Sequence, residues 1–128
     1  MAVISFGDSR NQVWGGAGWA FRQALKDLRP YAEGNELFLG VLDQAEHMGH
    51  LGVDLLDPAL RPAVVTAIAQ MCTDIITGVR RSSIEESLPG DRAAHEQYDE
   101  GIKELLLMST AAQRGIGPEA ERGDRLDE

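Results

Sequence analysis

At 128 residues the chain has room for one hydrophobic core but not for two, and 21 Asp and Glu against 12 Lys and Arg give it a formal charge of −9. That balance argues against a nucleic-acid partner, whose phosphates need a Lys/Arg surface, and no apolar run approaches the roughly 18 residues of a membrane span. No charged-then-apolar leader is visible. Cys72 is the only cysteine, so no internal disulfide can form, and the expected location is the cytoplasm.

In chain order, Ala2-Val3-Ile4-Ser5-Phe6 is β-prone but has no evident strand to pair with, so residues 1–12 are expected to lie as an extended arm across a helical body. The alternative is pairing with a second copy or a partner strand. Trp14-Gly15-Gly16-Ala17-Gly18-Trp19 follows. Each glycine inside a helix would cost about 1 kcal/mol, so the first helix is predicted to begin near Gly18. Phe21, Ala24, Leu25 and Leu28 recur on one side of it, and Arg22, Lys26 and Arg29 on the other. Pro30 and Gly34 close it.

The second helix starts at Asn35, a good N-cap, with Glu36 favourable to the dipole in the first turn. Phe38, Val41, Leu42, Ala45, Met48, Gly52 and Leu55 fall on one face and predict a continuous helix to about Leu56. The competing possibility is that Gly49 ends it as a left-handed cap. Asp57-Pro58 marks the third start, and Val64, Val65, Ile68, Cys72, Ile75, Ile76 and Val79 give that helix a wide apolar face. Ser82-Ser83-Ile84-Glu85-Glu86 offers capping boxes for a short turn before Pro89-Gly90. Asp91 caps the last helix, in which His95, Tyr98, Ile102, Leu105, Leu106, Ser109 and Ala112 face inward and Gly115 marks the end.

These segments predict an all-α, four-helix, largely antiparallel bundle with short connections over residues 1–115, and a flexible charged tail over 116–128. Leu25, Phe38, Leu42, Ile68, Cys72, Ile75, Ile102 and Leu105, each at the centre of an apolar stripe, form the expected core.

The chemistry-bearing pattern is an acidic block. From Pro30 to Leu60 the chain carries Glu33, Glu36, Asp43, Glu46, Asp54 and Asp57, two histidines, and no Lys or Arg. A single-sign surface attracts cationic partners. The leading expectation is therefore a non-enzymatic acidic binding module that docks a cationic protein (an inhibitor, immunity-type antidote or adaptor) through Glu36, Asp43, Glu46 and Asp54, with Trp14 and Trp19 as aromatic contacts. A second reading uses Asp43, His47, His50 and Asp54, spaced four, three and four apart on one helical stripe, as ligands for zinc or another divalent transition metal. A third is a self-associating structural domain, a homodimer formed through the glycine-lined second helix or the N-terminal arm.

Enzyme signatures are weak. His95-Glu96-Gln97-Tyr98-Asp99 departs from the zinc-protease pattern at its second ligand, Gly15-Gly16-Ala17-Gly18 lacks the Lys-Ser/Thr of a phosphate loop, and no serine sits in a nucleophile elbow.

Overall fold

The computed structural model of the chain describes residues 2–7 and 12–116. Ala2–Ser5 forms β1, Val13–Gly16 β2 and His50–Gly52 β3. The helices are α1 (Gly18–Leu28), α2 (Glu36–Met48), α3 (Arg61–Ile76), α4 (Ile84–Ser87) and α5 (Arg92–Ile116), with 3-10 turns at Arg29–Ala32 and Val53–Leu55.

The all-α expectation is overturned by the sheet. The β-prone segment is no lone arm: β1 is the middle strand of the order β2-β1-β3, antiparallel to β2 with Ile4 opposite Trp14, and parallel to β3 with Ile4 opposite Leu51. Its alternation puts Ala2 and Ile4 in the core, followed by Phe6, while Val3 and Ser5 are half-buried. The two flanking strands hide in the sequence because each is short and glycine-bearing, and glycine is among the poorest strand formers.

Gly49 accounts for the other correction. It adopts φ 73°, a left-handed conformation, and its N–H bonds the Ala45 carbonyl at 2.8 Å, so α2 stops at Met48 instead of continuing to Leu56. The reversal delivers His50 directly into β3, and the Gly49 carbonyl accepts the Val3 N–H at 3.2 Å. One cap therefore ends a helix and starts a parallel strand. The other end of α2 is as the sequence implies, with the Asn35 side chain accepting the Phe38 N–H at 3.1 Å.

Helices α1 and α5 contact the sheet at β1 and β2, α2 leads into β3, and α3 runs along α5. Leu25, Phe38, Leu42, Ile68, Cys72, Ile102 and Leu105 are buried, but Ile75 is only partly covered near the end of α3. Trp14 is also core. Its indole N–H donates to the Gly101 carbonyl at 2.8 Å, and a Cβ on Gly101 would stand 3.3 Å from the ring, so a glycine on α5 lets the helix approach the indole. Helix α5 passes Gly115 to Ile116, the last described residue; the tail expected beyond it, and residues 1 and 8–11 of the expected arm, lie outside the described residues. Among the described residues no helix is long and apolar enough to cross a membrane.

Burial sets the expected cost of core truncation. Ile68→Ala should destabilise by roughly 2–5 kcal/mol and Ile75→Ala by about 1–2 kcal/mol in chemical denaturation, because the half-exposed site loses less contact and leaves less cavity.

Candidate functional site

The helical stripe Asp43–His47–His50–Asp54 does not exist as a stripe. Asp43 and His47 remain on α2, while the turn at Gly49 places His50 in β3 and Asp54 in the following 3-10 turn. Asp43 is held by Arg29 at 2.7 Å, and Glu46 lies 3.9 Å from the same guanidinium. His47 is exposed. Among the described residues no group of three or more His, Cys, Asp or Glu is arranged to hold a metal ion.

His50 and Asp54 instead meet Ser5, a contact that helical periodicity could not reveal because it depends on the sheet. The Ser5 hydroxyl donates to Asp54 Oδ1 at 3.2 Å, and His50 Nε2 lies 3.1 Å from Ser5 Oγ. A hydroxyl has one proton to give. With that proton on the carboxylate side, His50 Nε2 must be the donor to Ser5 Oγ. In a serine nucleophile site the roles run the other way: the imidazole takes the serine proton and the carboxylate sits behind the imidazole. The trio is arranged as a clamp that ties the end of β1 to β3 and to the 3-10 turn.

The most deeply buried charge lies elsewhere. Asp27 on α1 is wholly inaccessible, and its carboxylate gathers donors from two further segments, α5 and the loop between α3 and α4. Tyr98 of α5 donates its hydroxyl to Oδ2 at 2.7 Å, and the Ser83 backbone N–H reaches Oδ1 at 2.8 Å. Ser82 Oγ stands 3.5 Å from Oδ2, and Arg80 Nη2 is 3.6 Å from Oδ1 while its Nη1 donates to the Asp27 carbonyl. Burial, and then the facing Asp27 charge, push the Tyr98 hydroxyl above its ordinary pKa, so it remains a donor. Arg80 also lies over the Tyr31 ring, 5.3 Å from its centroid, and Tyr31 donates to Asp74 at 2.6 Å. Burial first, then that hydrogen bond, raise the Tyr31 hydroxyl; the same bond is the main cause lowering Asp74. The sequence did hold a signal for this hub. Ala20, Ala24 and Asp27 lie four and three apart, which puts a carboxylate on the apolar face of α1.

A polar groove of about 290 Å³ opens beside this network, lined among others by Arg80, Arg81, Ser82, Glu85, His95 and Asp99. His95 Nε2 donates to the Leu88 carbonyl at 2.8 Å, which fixes the ring against the loop before α5. The groove's charges are both signs in similar number, and Arg81 and Glu85 already pair at 3.6 Å.

The expected contact residues separate accordingly. Trp14 is core, and Trp19 is half-buried with its ring 6.5 Å from that of Tyr98. Glu36 is exposed, with no ion-pair partner among the described residues. Large apolar side chains that periodicity assigned to the inside are instead in water: Met48 is 62%, Leu55 76% and Val79 76% exposed; Leu37, which lay outside that apolar face, is 74% exposed. Leu37 and Met48 are eleven residues apart, three turns along one flank of α2, with half-buried Val41 between them.

Two measurements test this electrostatic interior. Asp27→Ala, which leaves the Tyr98 hydroxyl and Ser83 N–H without their acceptor, should destabilise by roughly 3–5 kcal/mol in chemical denaturation, and Tyr98→Phe by about 1–3 kcal/mol.

Cys72 supplies the second. Burial, then the Asp27 charge, push its thiol from 9.0 up to about 12. The raised value contributes stability that is fully present below pH 9 and is lost as the pH climbs from 9 toward 12, because only the unfolded thiol ionises in that window. Iodoacetamide at pH 9 should therefore label Cys72 only as fast as the chain unfolds, and rapid stoichiometric labelling of the native protein would contradict the assigned burial.

Compared with known proteins, the chain matches no protein-family model, and no curated protein or solved structure matches it.

Proposed function

We propose that this protein is a non-enzymatic acidic binding module that docks a cationic protein partner through the outer flank of α2 and the turn after β3, and that it works in the cytoplasm. The observation that carries the reading is the company kept by the exposed apolar side chains. Two of them have a carboxylate next to them in the chain, Glu36 beside Leu37 and Asp54 beside Leu55, while Glu46 lies on the far side of α2 from Met48. An apolar contact bordered by one sign of charge is the composition of a protein-docking surface, where the apolar centre supplies affinity and the charged border steers approach. Glu33 and Glu36 are exposed and without ion-pair partners among the described residues, so their field is available to a cation. Asp43 and Glu46 are partly neutralised by Arg29, which moves the centre of the surface from the middle of the acidic block toward its first turn.

The two components predict different kinetic signatures. With the cationic partner recovered from the native host, Glu33→Lys with Glu36→Lys should slow association by about tenfold at low salt and flatten its dependence on ionic strength. Leu37→Ser with Met48→Ser should chiefly raise the dissociation rate, because these side chains act after encounter. Both pairs are surface changes expected to alter stability by no more than about 0.5 kcal/mol. Unchanged salt slopes and unchanged dissociation rates in the two variants would remove α2 as the docking surface.

A further inference from the structure

In a chain of net charge −9, the outward face of α1 is a local inversion of sign. Arg22, Lys26 and Arg29 are four and three residues apart, so they fall within an arc of about 60° on one side of the helix. They line a cleft of about 310 Å³ together with Gln23, Leu25 and Glu46, the last from α2. Arg22 and Lys26 are exposed and have no ion-pair partner among the described residues. Gln23 also borders the cleft, with its Oε1 accepting the hydroxyls of Ser83 at 2.7 Å and Ser87 at 3.3 Å. Arg29 gives one Nη2 N–H to Asp43 at 2.7 Å and has further N–H groups beside it, while Glu46, the one carboxylate in the lining, stands 3.9 Å away, outside hydrogen-bond reach.

We propose that this cleft is a binding site for a small molecule carrying a diphosphate. Two guanidinium groups and an ammonium line it, donors suited to phosphoryl oxygens. Seven residues of helix separate Arg22 from Arg29, roughly 10 Å along the axis, a row longer than one phosphate can bridge. An anion with charge at two centres meets more of the row than a single phosphate does, the flexible cationic side chains closing the remaining distance. The cleft volume falls at the lower end of the range for small-ligand sites, which favours a compact ligand over a protein surface. This site adjoins the docking surface on α2 through Arg29 and Glu46, but its cations Arg22 and Lys26 belong to α1 and its ligand is of opposite charge to the proposed partner.

Calorimetric titration with inorganic pyrophosphate and with orthophosphate tests the assignment on the full chain. Pyrophosphate should bind at one site per chain and orthophosphate at least about tenfold more weakly, as expected when charge-assisted hydrogen bonds at two centres reduce to one. Arg22→Gln with Lys26→Gln should weaken pyrophosphate binding at least about tenfold while leaving the melting temperature of the free protein unchanged, both residues being exposed. Arg92→Gln, at the start of α5, should leave the affinity as in wild type. The proposal is overturned if pyrophosphate gives no saturable binding at millimolar concentration, or if Arg92→Gln weakens binding as much as the α1 pair does, since the anion would then be reading bulk charge.

Discussion

A carboxylate removed completely from water must be answered by donors, and the arrangement of α1, the loop after α3, and α5 follows from that requirement at Asp27. Uncompensated, such a group would cost several kcal/mol, comparable to the whole stability of a domain this size. The compensation comes from a tyrosine hydroxyl on α5, and from a backbone N–H and a guanidinium on the loop after α3. None of those donors can move without leaving the charge exposed to an apolar surround, so the network fixes the relative positions of the segments more strictly than apolar packing alone would. Arg80 extends the same constraint outward, since its contact with the Tyr31 ring couples the hub to the turn that follows α1.

The helices were legible in the sequence and the sheet was not, for a common reason. Apolar periodicity over ten or more residues signals a helix, and Asn35, Asp91 and the glycine-rich stretch before Gly18 locate helix starts. Strands of three and four residues contain too few side chains to show a period of two. The apolar positions after Gly49 kept phase with α2 by coincidence, so Gly52 and Leu55 looked like a further turn of helix. Only the backbone sign of Gly49 separates the two outcomes, and that sign is a tertiary fact, favoured by the hydrogen bond its carbonyl makes to β1.

The candidate site was legible to the same extent. The acidic block is a property of composition and survives any fold, whereas the grouping of Asp43, His47, His50 and Asp54 needed an unbroken helix and disappeared with it. The Ser5–His50–Asp54 clamp spans 49 residues of sequence and depends on β1 lying beside β3. Trp14 shows the opposite case: an aromatic beside glycines has the composition of a contact surface, but here the glycines thin a strand while Gly101, far along the chain, makes room for the ring. Charge on the finished molecule is divided by element, with cations along α1 and carboxylates on α2, so an overall acidic protein presents two faces of different sign.

The central position of β1 also sets the order in which the molecule can be completed. Its antiparallel neighbour β2 follows after a short connection, but its parallel neighbour β3 is reached only after α1 and α2 have been made. During synthesis the earliest strand must therefore wait with one side unpaired, an edge open to foreign strands, until the segment around Leu51 emerges. A chain shortened at its beginning would lose the middle of the sheet and leave β2 and β3 with no strand between them. What resembles a dispensable leading segment is, in the assembled protein, the element around which the other two strands are ordered.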